Sequence, residues 1–404
     1  MIHTSQFADR FVLGPLGFWA AAGQAALAPF APYNPAVRVT QAGLEAMGAF
    51  AGPSAIPGYD LDVAPEVRAE APFGRLLHFP ARYAAPDAPR YLVIAPLSGH
   101  HATLLRPTVD ALLDTGEVDL VEWHSADDVP LSEGVLGYER YVAHLDTFLD
   151  AMAAADPDRP FHAVAVCQPG PALVTALAAR AMAGGRAQPD GVSLLAAPMD
   201  PAAGGSSLAR SVAGHGARCL PPSVTERVPF DRAGVGREIV PGRLQIWTMM
   251  AQNPVQHMTR CWTLFRQRLN GQHNAADAVV AFYERFGALI AIDAALYRDT
   301  LARVFAEREL AAGTAHLGGE PVDPAALTDL GVQTIAGGAD PICAPEQTHA
   351  AHDILAGAPE RLRDRLTVPG LGHYDVFAGP RFRAQILPRI TAFALACRSA
   401  RAEG

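Results

Sequence analysis

The chain has 404 residues, 50% hydrophobic and only 18% charged, enough to bury a sizeable core as one large domain or two ordinary ones. A formal net charge of -9, with no clustered run of Lys and Arg, excludes an electrostatic grip on nucleic acid, because phosphate contacts need concentrated positive charge. Five widely spaced cysteines, Cys167, Cys219, Cys261, Cys343 and Cys397, form an odd set without a C-x-x-C pair and fit a reduced compartment, the cytoplasm, better than a disulfide scaffold.

In chain order, Phe11 to Ala31 is apolar, but Asp9 beside Arg10 makes a poor basic flank, and Pro15 and Gln24 interrupt the run. It reads as an amphipathic arm on the body of the protein or on an apolar surface, with a cleaved signal peptide as the rival. Pro32 to Pro65 reads as a loose connection with one helix at 39–49. Short apolar runs at 75–79, 90–95, 118–123, 161–166 and 192–196 read as strands, with helical periodicity at 103–115 and 138–154 and a helix entered after 166. Such alternation predicts a mostly parallel sheet with helices on both faces. Between about 201 and 330 helical segments dominate, at 244–250, 254–269, 275–286 and 291–309, which predicts a helical cap inserted into the sheet domain. Strands resume at 332–335 and 366–368, and a helix closes at 383–396. The expected division is therefore an arm and connection at 1–73 packing on the body, a first core half at 74–200, the cap at 201–330 and a second core half at 331–404.

The chemistry starts at Ala165-Val166-Cys167-Gln168-Pro169, where an apolar strand runs straight into a helix. A nucleophile elbow places its residue on such a turn, with small neighbours because strand and helix approach closely. Pro169 suits a first helical turn, and a helix N-terminus behind Cys167 favours a thiolate. Cys167 is thus a nucleophile or a buried core cysteine, and its partners decide. Asp340 follows the strand and Gly-rich loop VQTIAGGAD, and His373 follows RLTVPGLGH. The order nucleophile, acid, histidine on successive strand ends is that of an α/β-hydrolase. Asp375 is the rival acid, local to the histidine and on its wrong side. Backbone N–H groups of Gln168 and Leu97, with Ser98 as the neighbouring candidate, are the expected oxyanion donors. His100 and His101 with His349 and His352 lack the nearby carboxylate and cysteine pattern of a metal site and are expected to hold no metal.

These residues lie in runs that resemble the intracellular polyhydroxybutyrate (PHB) depolymerases: PLSGHHATLLRPTV at 96–109, WHSADDVPLSEG at 123–134, AVCQPGPA at 165–172, REIVPGRLQIWTMMAQNP at 237–254, QTHAAHDIL at 347–355 and GHYDVFAGPRFR at 372–383. The resemblance covers nearly the whole chain and implies a cytoplasmic α/β-hydrolase working on stored polyester granules through a Cys-Asp-His triad, with Cys167 as nucleophile, Asp340 as acid and His373 as base. The chain departs from the family pattern at Asp340-Pro341, at Cys343-Ala344-Pro345 and at Asp375, which bears on substrate preference more than on catalysis. No cofactor is implied, though coenzyme A could replace water as acyl acceptor in a thioester mechanism. Ser98, Trp247 and Trp262 are candidate substrate contacts, the cap aromatics being either cap core or the lining of an apolar cleft. The rival readings are a PHA synthase-like acyltransferase, whose Gly-x-Cys-x-Gly box Ala165 and Pro169 break, a generic carboxylesterase, and a non-catalytic granule-binding protein.

Overall fold

A computed structural model describes residues 14–29, 34–48, 56–83, 88–184, 186–205, 224–252 and 254–402. Cys219 and parts of the segments at 11–31, 32–65 and 201–240 lie outside them, as does the side chain of Trp247. The chain divides into two units, one of residues 60–98, 105–240 and 292–404, the other of residues 1–59, 99–104 and 241–291.

The larger unit is built on eight strands: β1 (Glu66–Ala71), β2 (Gly74–Phe79), β3 (Arg90–Ile94), β4 (Glu117–Trp123), β5 (His162–Val166), β6 (Gly191–Leu195), β7 (Gly331–Gly337) and β8 (Arg363–Val368), in the order β1-β2-β4-β3-β5-β6-β7-β8. Only β2 runs against its neighbours; all other pairings from β4 to β8 are parallel. This order and direction, with helices in the crossovers, is the α/β-hydrolase fold. Strands β3, β5, β6 and β7 are buried along their whole length, as mostly apolar strands covered on both faces should be. Strand β1 was not legible: EVRAEA is half charged, reads as connection, and forms an exposed edge whose charges blunt further pairing.

Two crossover helices show how the sheet holds its layers. The helix Tyr138–Ala155 buries Tyr141, Val142, Leu145, Phe148, Leu149 and Met152 at helical spacing. Its first N–H is capped from elsewhere, Tyr138 donating to Asp299 Oδ2 at 2.9 Å. Its C-terminal end is met by Arg90 at the start of β3, which is 2% exposed and donates to the carbonyls of Met152 in the last turn (2.9 Å), Asp156 at the cap (2.9 Å) and Arg159 just beyond (2.6 Å). A cation on orphan helix carbonyls satisfies both the hydrogen bonds and the macrodipole.

The cap expectation needs correction. The stretch 291–309, read as one helix, is broken into strand Ile292–Asp293, helix Ala294–Asp299 and a π-helical turn Thr300–Ala306. That strand pairs with Glu238–Val240, so residues on both sides of the expected cap belong to the sheet unit. Buried Arg237 locks this region, donating to Asp293 Oδ2 at 2.7 Å and to the carbonyls of Pro130 (2.8 Å) and Gly134 (2.7 Å).

The smaller unit contains helices Gly14–Leu27, Pro35–Gly48, Gly242–Gln252, Pro254–Leu269 and His273–Phe286. Residues 1–59 group with 241–291 in this unit. Ala46 packs with Leu264 and Ala276, and Arg268 grips Glu45 through both carboxylate oxygens at 2.6 Å. Among the described residues no helix is long and apolar enough to cross a membrane.

Candidate active site

Strand β5 is wholly buried and apolar after His162, and its neighbour Cys167 continues the pairing, donating its N–H to Leu195 O at 2.8 Å. The chain then turns into the helix Pro169–Ala183 through Cys167 itself, which sits at φ 64°. A left-handed conformation is costly for a residue with a Cβ and persists only where the surroundings impose it. The turn is tight because the helix start lies on the end of β6: a Cβ on Gly170 would stand 2.6 Å from Ala197 Cβ. Gly170, one residue after Pro169, is therefore the glycine that permits the close approach. It lies three residues after the cysteine, outside the two-before, two-after glycine spacing of a G-x-S-x-G elbow.

Asp340 and His373 come from the loops after β7 and β8. His373 Nδ1 is 2.7 Å from Asp340 Oδ2, and both side chains are almost fully buried. The other oxygen, Asp340 Oδ1, accepts the N–H groups of Ile342 (2.8 Å) and Cys343 (3.0 Å), so the carboxylate is fixed from two sides. Burial alone would push the His373 imidazole down. The charges of Asp340 and Cys167, and hydrogen bonds to both, outweigh it and hold His373 well above its ordinary value. With Nδ1 on Asp340, Nε2 is the nitrogen that meets Cys167. All three expected residues thus meet in one line of contacts, and Asp340 rather than Asp375 holds the imidazole.

The remaining expected residues are placed as follows. Leu97 and Ser98 follow β3 in the sheet unit, and the Leu97 N–H donates to Gln168 Oε1 at 3.1 Å. Trp262 belongs to the helical unit, where it is 60% exposed and stacks on Phe265 with ring centroids 5.4 Å apart. His349 and His352 are not exposed: both share the Thr334 hydroxyl at 2.8 Å, and His349 also reaches Thr367 Oγ1 at 2.8 Å. Burial, aided by Arg365, pushes the His349 imidazole down to about 4. They are core histidines that bind hydroxyls. Sequence reasoning missed Trp123 and Tyr141. Trp123 Nε1 donates to Ala95 O at 2.8 Å, and Tyr141 OH donates to Gln168 Oε1 at 3.1 Å. Both sit within strand and helix patterns that read as core, so nothing in the pattern separates them from packing residues.

A fixed imidazole between a carboxylate and a cysteine on a strained strand-helix turn can take the thiol proton and return it to a leaving group. Comparison with solved structures gives fold-level likenesses. The monoglyceride lipase from Saccharomyces cerevisiae is 13% identical with a TM-score of 0.48, covering 84% of this chain and 98% of that one. A putative lipase from Acinetobacter baumannii AYE is 10% identical with a TM-score of 0.45, covering 91% and 97%. No curated protein sequence matches. The family described as PHB de-polymerase C-terminus matches residues 196–398, half of the chain, and includes Asp340 and His373. The chain therefore belongs to the PHB depolymerase family, ester hydrolases built on the α/β-hydrolase sheet.

Proposed function

We propose that the protein is an intracellular depolymerase that cleaves the ester bonds of polyhydroxybutyrate by cysteine nucleophilic catalysis, releasing 3-hydroxybutyrate units or oligomers. The observation that carries the reading is the contact line Asp340–His373–Cys167, with the cysteine at φ 64° on the elbow and the imidazole held well above its ordinary value. In the first step Cys167 Sγ attacks the ester carbonyl and its proton passes to His373 Nε2. The oxyanion rests on the Gln168 N–H and an amide of the loop after β3, that of Leu97 or Ser98. Collapse expels the alkoxide, which His373 protonates, and leaves a thioester on Cys167. Water, giving a proton to His373, attacks the thioester, and the acid departs as the thiol is restored. Coenzyme A in place of water would give the acyl-CoA and the same free thiol. Asp340 keeps the imidazole in one tautomer and stabilises the imidazolium throughout. Family membership supports the polyester substrate, and with it a cytoplasmic location at the granule surface.

Native amorphous granules incubated with wild type and with Cys167→Ala test this reading. Wild type releases 3-hydroxybutyrate and turns over a short p-nitrophenyl ester, while the variant loses both by about three orders of magnitude or more. Activity retained in Cys167→Ala overturns the nucleophile. Wild-type ester turnover without granule turnover leaves a generic carboxylesterase.

A further inference from the structure

The residue after the nucleophile is expected to contribute only its backbone N–H, yet the Gln168 side chain is tied more tightly than that task requires. Its amide oxygen accepts two hydrogen bonds, from the Leu97 N–H at 3.1 Å and from the Tyr141 hydroxyl at 3.1 Å. A backbone N–H can only donate, so the Leu97 contact fixes which end of the amide is the oxygen, and the Tyr141 hydroxyl is then the donor as well. Tyr141 is fully buried, and burial, reinforced by Tyr138 and Cys167 and opposed by Gln168, holds its phenol well above its ordinary value, so it keeps its proton. Its ring lies against Trp123, with centroids 4.7 Å apart. Trp123 in turn donates to Ala95 O at 2.8 Å. The loop after β3 is therefore held at Ala95 through Trp123 and at Leu97 through Gln168, and the two holds are joined by the Trp123–Tyr141 contact.

We propose that the Gln168 side chain is a positioning residue for acyl transfer: by clamping the Leu97 N–H, with Tyr141 as its second support, it sets the loop that faces the developing oxyanion. This rests on Cys167 being the nucleophile. One consequence is a division of labour along the loop. The Leu97 N–H is engaged as the anchor, so the N–H that the loop offers to the oxyanion is that of Ser98, the next residue. A loop amide displaced by even a fraction of an ångström loses its aim at the oxyanion, while the thiol and imidazole are untouched.

That separation supplies the test. Alkylation of Cys167 by iodoacetamide needs the thiolate and the imidazole but develops no oxyanion, whereas ester turnover needs all three. In Gln168→Leu, which keeps the bulk and removes the acceptor, kcat for a p-nitrophenyl ester falls about 10- to 100-fold, with KM and the alkylation rate each within about 2-fold of wild type. Gln168→Glu restores an acceptor and regains most of kcat, but its charge beside Cys167 moves the pH profile of kcat/KM to the alkaline side. Tyr141→Phe, which keeps the ring and leaves Gln168 on Leu97, lowers kcat by less than Gln168→Leu and carries the test if that variant does not fold. Wild-type or higher kcat in Gln168→Leu overturns the proposal, since the amide would then be a plug rather than a clamp. So does alkylation slowed in step with kcat, which would make Gln168 a support of the elbow itself. Failure of the underlying reading looks different: alkylated wild-type enzyme would still turn over ester.

Discussion

Two buried histidines on the same sheet, one at each end of the strands, have opposite chemistry. His373, beyond the carboxyl end of β8, faces a carboxylate and a cysteine and is held well above its ordinary value. His162, at the amino end of β5, is pushed down by burial to about 3. Its Nε2 is 2.8 Å from Ser193 Oγ, whose hydroxyl donates to Gln333 Oε1 at 2.6 Å, and Gln333 Nε2 donates to Asp364 Oδ2 at 2.7 Å. Because the Ser193 proton is committed to Gln333, its oxygen must accept from His162, which fixes the Nε2–H tautomer. His162 Nδ1 is buried without a partner among the described residues, so a second proton there would be a buried donor with nothing to bind. Burial makes a histidine inert and structural; a buried carboxylate partner makes it a proton carrier.

The comparison breaks most visibly in activity. His373→Ala should lower kcat/KM for a soluble ester by about 10³-fold or more, while His162→Ala leaves turnover per folded molecule near wild type and loses about 2–4 kcal/mol in a urea melt. Comparable activity losses in the two would show that the amino-end network also serves catalysis.

The next effect is the pH dependence of stability, where the two differ in sign. His162 has a folded value of about 3 against an ordinary 6.5, so between these the unfolded chain binds more protons. Its contribution is complete above pH 6.5 and is lost as pH falls toward 3, by at most about 5 kcal/mol. His373 has a raised folded value, so its contribution is complete below its unfolded value and is lost as pH rises through the folded one. Urea midpoints of wild type, His162→Gln and His373→Gln across pH should show the acid slope reduced in the first variant and the alkaline slope reduced in the second. Equal slopes in all three would refute the assignment.

The smallest effect concerns the cysteines, which repeat the contrast. Burial, reinforced by Asp340, holds the Cys343 thiol well above its ordinary value, and burial with Asp190 holds Cys397 at about 12. Both should stay unmodified in folded protein while iodoacetamide consumes Cys167, as peptide mass mapping would show. Cys343→Ala, which keeps the backbone N–H bound to Asp340, should cost about 1 kcal/mol of stability or less and leave kcat nearly unchanged. Rapid labelling of Cys343 would contradict its burial.

Strand positions were legible where mostly apolar runs are fully buried, as in β5 and β6, because burial on both faces leaves room for only the few polar residues that find partners, here His162 and Ser193. Strand β1 and the pair Glu238–Val240 with Ile292–Asp293 were not, since charged or very short strands carry no period, and only pairing defines them. Cys167, Asp340 and His373 could be picked out because a hydrolase needs them at successive strand ends in a set order, and the order of residues is itself a property of sequence. Three things required the folded chain. The glycine that admits the elbow is Gly170, because only the approach of Ala197 shows where a Cβ cannot fit. Residues 1–59 group with 241–291, a choice among apolar faces that local pattern does not encode. The Gln168 side chain binds the Leu97 N–H and the Tyr141 hydroxyl, groups brought together from three separate stretches of chain. Sequence by itself therefore determined the candidates for the chemistry, Cys167, Asp340 and His373, since residue type and chain order are enough to nominate them. Tertiary structure decided how those groups are held, because clamping, burial and the sign of a histidine's shift depend on neighbours distant in the chain.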